Sequence, residues 1–253
     1  MLQVAWASFR THLQVTLTRP LFRVMMVIQP VAIVSFAQII YGSRPNLGFF
    51  VMFGAGLASV WAAAAFSSAG DLGRERRQGT LVPVFVASAP LLVVSASRAM
   101  ASLVLSLVPF CLTVAMSLLF GQRVPSSASL LGLGLSFVAF ALGAHAMGLA
   151  LSALFLASRR SLVLQNLLEW PVILASGVLA PIALMPVWVE TVSRVLPTRW
   201  GAEAAFAAFQ LGEIKVDALG FAIALTAVYA VSAHVLYGYI EFRVRLSGSL
   251  EIA

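Results

Sequence analysis

Apolar residues come in runs of about twenty or more along this chain, much longer than the alternation of a half-buried strand or the stripe of a surface helix. The first run covers 24–42, with Gln29 and Pro30 inside it, and a turn at 43–46 leads to a second at 47–69, rich in Ala and Gly. Further runs cover 96–120, 130–157, 161–180 and 218–238. Helices of that length cross a hydrocarbon core about 30 Å thick. The pattern predicts an all-α polytopic membrane protein, one transmembrane domain over 1–253 with six transmembrane helices, the first kinked at Pro30.

Three stretches break the pattern. Residues 1–23 place Trp6, Phe9, Leu13 and Leu17 at helical spacing while Arg10, Gln14 and Arg19 fall elsewhere, which predicts a helix lying in the headgroup plane. They lack the basic start, short apolar core and small-residue cleavage site of a secretory signal. Residues 181–217 are interrupted by Pro181, Pro186 and Pro197 and carry Glu190, Arg194, Arg199, Glu203, Glu213 and Lys215. They read as two short amphipathic helices, Val187 to Leu196 and Trp200 to Leu211, with Trp188 and Trp200 suited to the membrane boundary. The third stretch, 71–90, reads DLGRERRQGTLVPVFVASAP and is the densest run of charge. Arg74, Glu75, Arg76, Arg77 and Gln78 must face water, since each Arg costs about 3 kcal/mol in hydrocarbon. Gly79 permits a turn, Thr80 can cap, and a short surface helix follows from Leu81 to Ala89 with Phe85 in it and Pro83 in its first turn. Such a segment is either a lever for a soluble partner or a solvated basic loop that only sets orientation.

Composition narrows the class. Of 253 residues 61% are hydrophobic and 10% charged, and the mean hydropathy of +0.99 lies outside the range of a soluble globular domain. The single cysteine, Cys111, rules out a disulfide framework and a thiolate metal site. A net charge of +7 would suggest nucleic acid in a soluble protein, but here the bases sit at segment ends, where orientation and lipid headgroups account for them. With six spans, eleven of the sixteen Lys and Arg residues fall on one side. That side is expected to be cytoplasmic, which puts both termini, the 71–90 segment and the tail 239–253 inside the cell membrane and 181–217 outside.

Polar residues inside the runs are the candidate site. On the third, Ser95, Ser102, Ser106, Pro109, Thr113 and Ser117 share a narrow face, either for helix packing with hydroxyls bonded to the preceding turn or as a wall of a polar cavity. On the fourth, His145 interrupts a small-residue seam of Ala141, Gly148 and Ser152, either bonded to a neighbouring helix or serving a relay. On the fifth, Gln165, Asn166, Glu169, Ser176 and Gly177 fall within roughly a 120° arc. Glu169 lies about 13 Å beyond Arg160 along a helix, deep enough that its carboxyl must be neutral, paired or wet. It lines a path or a subunit interface, or it pairs with a group such as His145.

The segment GRERRQGTLVPVFVASAP resembles the cytoplasmic coupling segment of type-2 ATP-binding-cassette transporter permeases, departing from it at Pro83. The stretch from Gly177 through Pro181, Pro186, Trp188 and Pro197-Thr198 to Glu203 is similar to that family's fifth-span end and extracellular helices. The resemblance implies a permease without ATPase activity, paired with a second copy or a homologous permease and driven by two separate nucleotide-binding subunits. It implies that Glu75, Arg76, Arg77, Gly79, Thr80, Leu81 and Phe85 receive the ATPase's movement. Gln165, Asn166, Glu169, Ser176, Gly177, Ser106 and Thr113 are the expected path or dimer interface. ATP and Mg would be used by the partner, because the only lysine, Lys215, stands in no phosphate-binding loop, and no cofactor, metal or nucleic acid is expected on this chain. The expected cargo is a drug, peptide or lipid-like amphiphile. The alternatives are an ion-coupled secondary transporter, for which paired deep acids and an internal repeat are missing, and an accessory membrane subunit.

Overall fold

The computed structural model describes residues 1–42, 44, 47–65, 90–156 and 161–247. Its helices are α1 (Leu2–Thr18), α2 (Pro20–Tyr41), a π-helical turn (Phe50–Gly54) running into α3 (Ala55–Ala64), α4 (Leu91–Leu119), α5 (Leu130–Leu156), α6 (Ser161–Ala175), a 3-10 turn (Ile182–Leu184), α7 (Val187–Ser193), α8 (Pro197–Gln210) and α9 (Val216–Ser247). Among the described residues there is no strand. Four helical stretches, Phe22–Tyr41, Leu91–Leu119, Leu130–Phe155 and Val216–Val244, are long and apolar enough to cross a membrane, and Phe50–Ala64 is a shorter apolar one.

Several boundaries differ from the sequence reading, and each has a local cause. Helix α4 starts at Leu91 rather than 96, because Pro90 sits in extended backbone (φ −56°, ψ 137°) and a helix can begin directly after it. Helix α8 starts at Pro197 rather than Trp200, since proline suits a first helical turn, whose amides need no partner in the helix. Helix α6 stops at Ala175, short of 180, and Gly177 follows at φ 72°, a left-handed conformation that glycine adopts without a steric penalty. The short α7 ends at Ser193. At the other extreme α9 runs unbroken to Ser247, past 238, because no proline interrupts it.

Helix α5 is the hub: α9 and α8 pack along it, while α3 and α1 pack on α4. The main core joins Phe49, Phe50, Leu57 and Trp61 to Phe140 on α5, Ile173 on α6 and Phe209 on α8, all buried. Small residues let α5 and α8 touch almost backbone to backbone, as Ala202, Ala205 and Ala208 face inward. At the closest point a Cβ on Gly201 would lie 2.8 Å from the Phe140 Cα.

Helix α1 has its own division of labour. His12 and Thr16 turn inward, with His12 Nε2 3.1 Å from Ser102 Oγ on α4. Leu2, Trp6 and Leu17 are exposed, the arrangement of a helix tied to the bundle by polar groups with apolar side chains left for lipid.

Because the atom that a new methyl would meet at Gly201 is backbone, Gly201→Ala is expected to push α8 off α5 and cost about 1–3 kcal/mol. Thermal unfolding of the purified chain in detergent should show a clear fall in midpoint. Gly134→Ala, where a Cβ would meet nothing, should leave the midpoint near that of the unchanged chain.

Candidate functional site

The expected coupling residues Glu75, Arg76, Arg77, Gly79, Thr80, Leu81 and Phe85 lie outside the described residues, as do the side chains of Gln165 and Asn166. The remaining path residues separate into two groups. Ser106 and Thr113 are fully buried on α4, and their hydroxyls donate to their own helix, to Leu103 O at 2.7 Å and Pro109 O at 2.8 Å. Their stripe is a packing face. Ser117, at its far end, reaches Val51 O of the π-helical turn at 3.0 Å and Thr113 O at 2.8 Å, so its hydroxyl also ties α4 to that turn.

Glu169, Ser176 and Gly177 belong to the second group. Glu169 is 7% exposed. Gln29 Nε2 on α2 donates to its carboxylate at 3.4 Å, and Trp61 Nε1 on α3 donates to its backbone carbonyl at 3.1 Å. One residue of α6 therefore binds α2 and α3 together. Pairing with His145 is not formed: His145 Nδ1 donates to Ala141 O at 2.8 Å within α5, and its Nε2 is buried without a hydrogen-bond partner among the described residues.

Beyond Glu169 the α6 chain turns at Ser176 and Gly177, and the next carbonyl, of Val178, lies where a Cβ on Gly54 would be. That close approach of two backbones explains a glycine in the π-helical turn. Ser176 and Gly177 then form one wall of a cleft of about 340 Å³, closed by Phe50, Ile182 and the α8 residues Arg199, Glu203 and Phe206. Its aromatic wall is rigid. Phe206 stacks edge-on with Phe49 at 5.3 Å and lies 5.9 Å from Phe50, and Phe49 also meets Phe209 at 5.7 Å.

Charges gather at the cleft rim. Lys215 Nζ donates to Glu203 Oε1, and Arg199 Nη2 lies 3.7 Å from Glu203 Oε2. The Glu203 carboxylate holds the Lys215 ammonium above the usual lysine range. A raised pKa on a cation keeps the pair's contribution whole below the ordinary lysine range, and that contribution is lost as pH rises from there to the raised value. Glu190 and Arg194 pair at 3.1 Å on the exposed face of α7, where such a pair contributes little.

The opposite end of the bundle holds a residue that the sequence reading treated as part of a basic tail. Glu241, near the end of α9, accepts a hydrogen bond from the Leu91 backbone amide, the first of α4. Pro90 offers no side-chain cap, so this carboxylate supplies from another helix both the missing acceptor and the negative charge that a helix N-terminus favours. A small cluster of Leu91, Ala150, Ala153, Ala233, Tyr237 and Ile240 packs around the same joint, with Ser152 Oγ hydrogen-bonded to the Tyr237 hydroxyl. Nothing in the local pattern at 241 reveals this partner, which is 150 residues away in sequence.

Compared with known families, the model for ABC-2 type transporters matches residues 3–209, from α1 through nearly all of α8. No curated protein matches the chain.

Replacing Glu241 by Ala is expected to cost about 1 kcal/mol, the usual loss of a helix cap, and to speed hydrogen exchange at Leu91 and its neighbours more than at the middle of α4. Glu241→Gln, which keeps an acceptor but not the charge, should fall between the two.

Proposed function

Because the chain belongs to the ABC-2 type transporter family, a family of membrane transport domains, we propose that it is the permease subunit of an ATP-driven exporter of amphiphiles. The match is the observation that carries this reading, since it spans the 71–90 segment as well as the helices on either side. In this reading the six spans are those expected from the sequence, 24–42, 47–69, 96–120, 130–157, 161–180 and 218–238. Both termini face the cytoplasm of a cell that carries the protein in its cytoplasmic membrane, and α7 and α8 lie outside.

ATP is bound and hydrolysed, with Mg, by separate ABC ATPase subunits that engage Glu75, Arg76, Arg77 and the 81–89 helix. Their closure pulls on a segment that feeds directly into Leu91. Because Glu241 and the Tyr237 cluster fasten that point to α9 and α5, the pull is passed to the bundle instead of unwinding the first turn of α4. A second permease, the same chain or a homologue, completes the path. The lightly packed α6, with Val163, Leu167 and Trp170 exposed, and the exposed Val27, Ile28 and Phe36 of α2 support that placement. Glu169 and Gln29 then lie where α2 and α6 meet, and Ser176 and Gly177 at the outer mouth.

Co-purification with the cognate ATPase and reconstitution in proteoliposomes tests the coupling. Glu75→Ala and Gly79→Pro are expected to reduce transport by an order of magnitude or more while the complex still assembles. Cysteine introduced at Arg76 or Arg77, in a Cys111→Ser background, should react with an impermeant maleimide only from the cytoplasmic side. Labelling from outside intact cells would overturn the topology and the lever with it.

A further inference from the structure

The cleft beside α8 holds a cation with an unused donor. Arg199 Nη1 is buried and has no hydrogen-bond partner among the described residues; the side chain is only 14% exposed and its guanidinium lies 5.0 Å from the Trp200 ring centre. A buried guanidinium donor left without an acceptor is costly, and it normally marks a place where an acceptor arrives. The acids nearby do not fill that role. Glu203 is shared between Arg199 and Lys215, and Glu190 is engaged by Arg194. Asp217 also acts on Lys215, so the three cations around the rim are matched by three carboxylates, and what singles out Arg199 at the cleft wall is its unpartnered donor rather than an excess of charge.

The rest of the cavity is apolar. Phe50 and Phe206 present ring surface, and Ile182 closes the third side. A ligand that satisfies both halves carries one anionic group for the guanidinium fork, which suits a carboxylate or phosphate, and a hydrocarbon portion for the rings.

We propose that this cleft binds an amphiphile bearing a single carboxylate or phosphate, held by Arg199 with its apolar portion against Phe50 and Phe206. The assignment rests on the cleft alone and holds whether or not the chain carries a cargo through the membrane. Two sources supply that chemistry: a two-chain anionic phospholipid resident in the adjoining leaflet, or a free single-chain amphiphile arriving at the mouth of the bundle.

The full chain in phosphatidylcholine nanodiscs tests it, with Trp200 as the reporter and Trp200→Phe as the background to be subtracted. The probes are dibromostearate, its neutral methyl ester, and dibrominated phosphatidylglycerol, whose bromines quench indole fluorescence at contact. Saturable quenching by phosphatidylglycerol alone identifies a resident lipid, by stearate alone a single-chain ligand, and by both a site that reads the shared chemistry; each supports the proposal. Arg199→Gln is expected to raise the half-saturating concentration at least tenfold. Arg199→Lys, which keeps the charge and can keep the Glu203 pair but loses the fork, should raise it about threefold, and this variant decides the matter if Arg199→Gln does not fold. Equal quenching by stearate and its methyl ester, no saturable quenching by either anionic probe, or unchanged binding in both Arg199 variants overturns the proposal.

Discussion

Hydrocarbon offers no hydrogen bonds, so a polar group that this chain carries into the bilayer is stabilised by a partner inside the protein. The bundle is arranged around meeting that demand. The α4 hydroxyls bond back to their own helix, Ser117 takes in a π-turn carbonyl, Trp61 donates to the Glu169 backbone, and Gln29 approaches the Glu169 carboxylate. Each such bond also fixes which helices lie side by side. Polar satisfaction and helix order are here the same constraint.

Small residues and proline set the spacing within that order. Alanines on α8 and Gly201 bring it against α5 closely enough that one methyl would not fit, and Gly54 lets the π-helical turn meet the chain just after Gly177. Closeness of this kind packs α5 along both α8 and α9. Helix α6 contrasts with it, presenting Val163, Leu167 and Trp170 outward and holding the bundle mainly near Glu169 and at its final turn. A transporter needs such a difference, since something must stay fixed while something else moves.

The two ends of the molecule solve opposite problems. At the Glu241 end an acidic cap and a compact cluster fasten the start of α4 to α9 and α5, and breaking the joint would leave the α4 terminus and a carboxylate both unsatisfied. At the α8 end the charges are paired, but Arg199 retains a donor with no acceptor among the described residues. One arrangement is complete and suits a structural link. The other is incomplete in the manner of a binding surface.

The amino-acid sequence by itself determined the class of this protein. Long apolar runs leave no alternative to membrane helices, the charge between 71 and 90 has to remain in water, and the prolines after 180 forbid another straight span, so the all-α plan follows from solvation of individual residues, while the family was legible only as a resemblance of motifs. The single polar face expected on the fifth run is divided in the structure, because α6 stops at Ala175: Glu169 bonds to α2 and α3, while Ser176 and Gly177 lie in the turn beyond the helix and line the cleft. Whether the α4 hydroxyls lined a cavity or a packing face was not legible, because a hydroxyl that bonds its own helix and one that faces a path have the same spacing. His145 was equally ambiguous, and only its position on α5 shows that it does not reach Glu169. The Glu241 cap and the Arg199 cleft were decided by tertiary structure alone: each depends on side chains from distant parts of the chain meeting at one point, and local periodicity carries no record of a partner across the bundle.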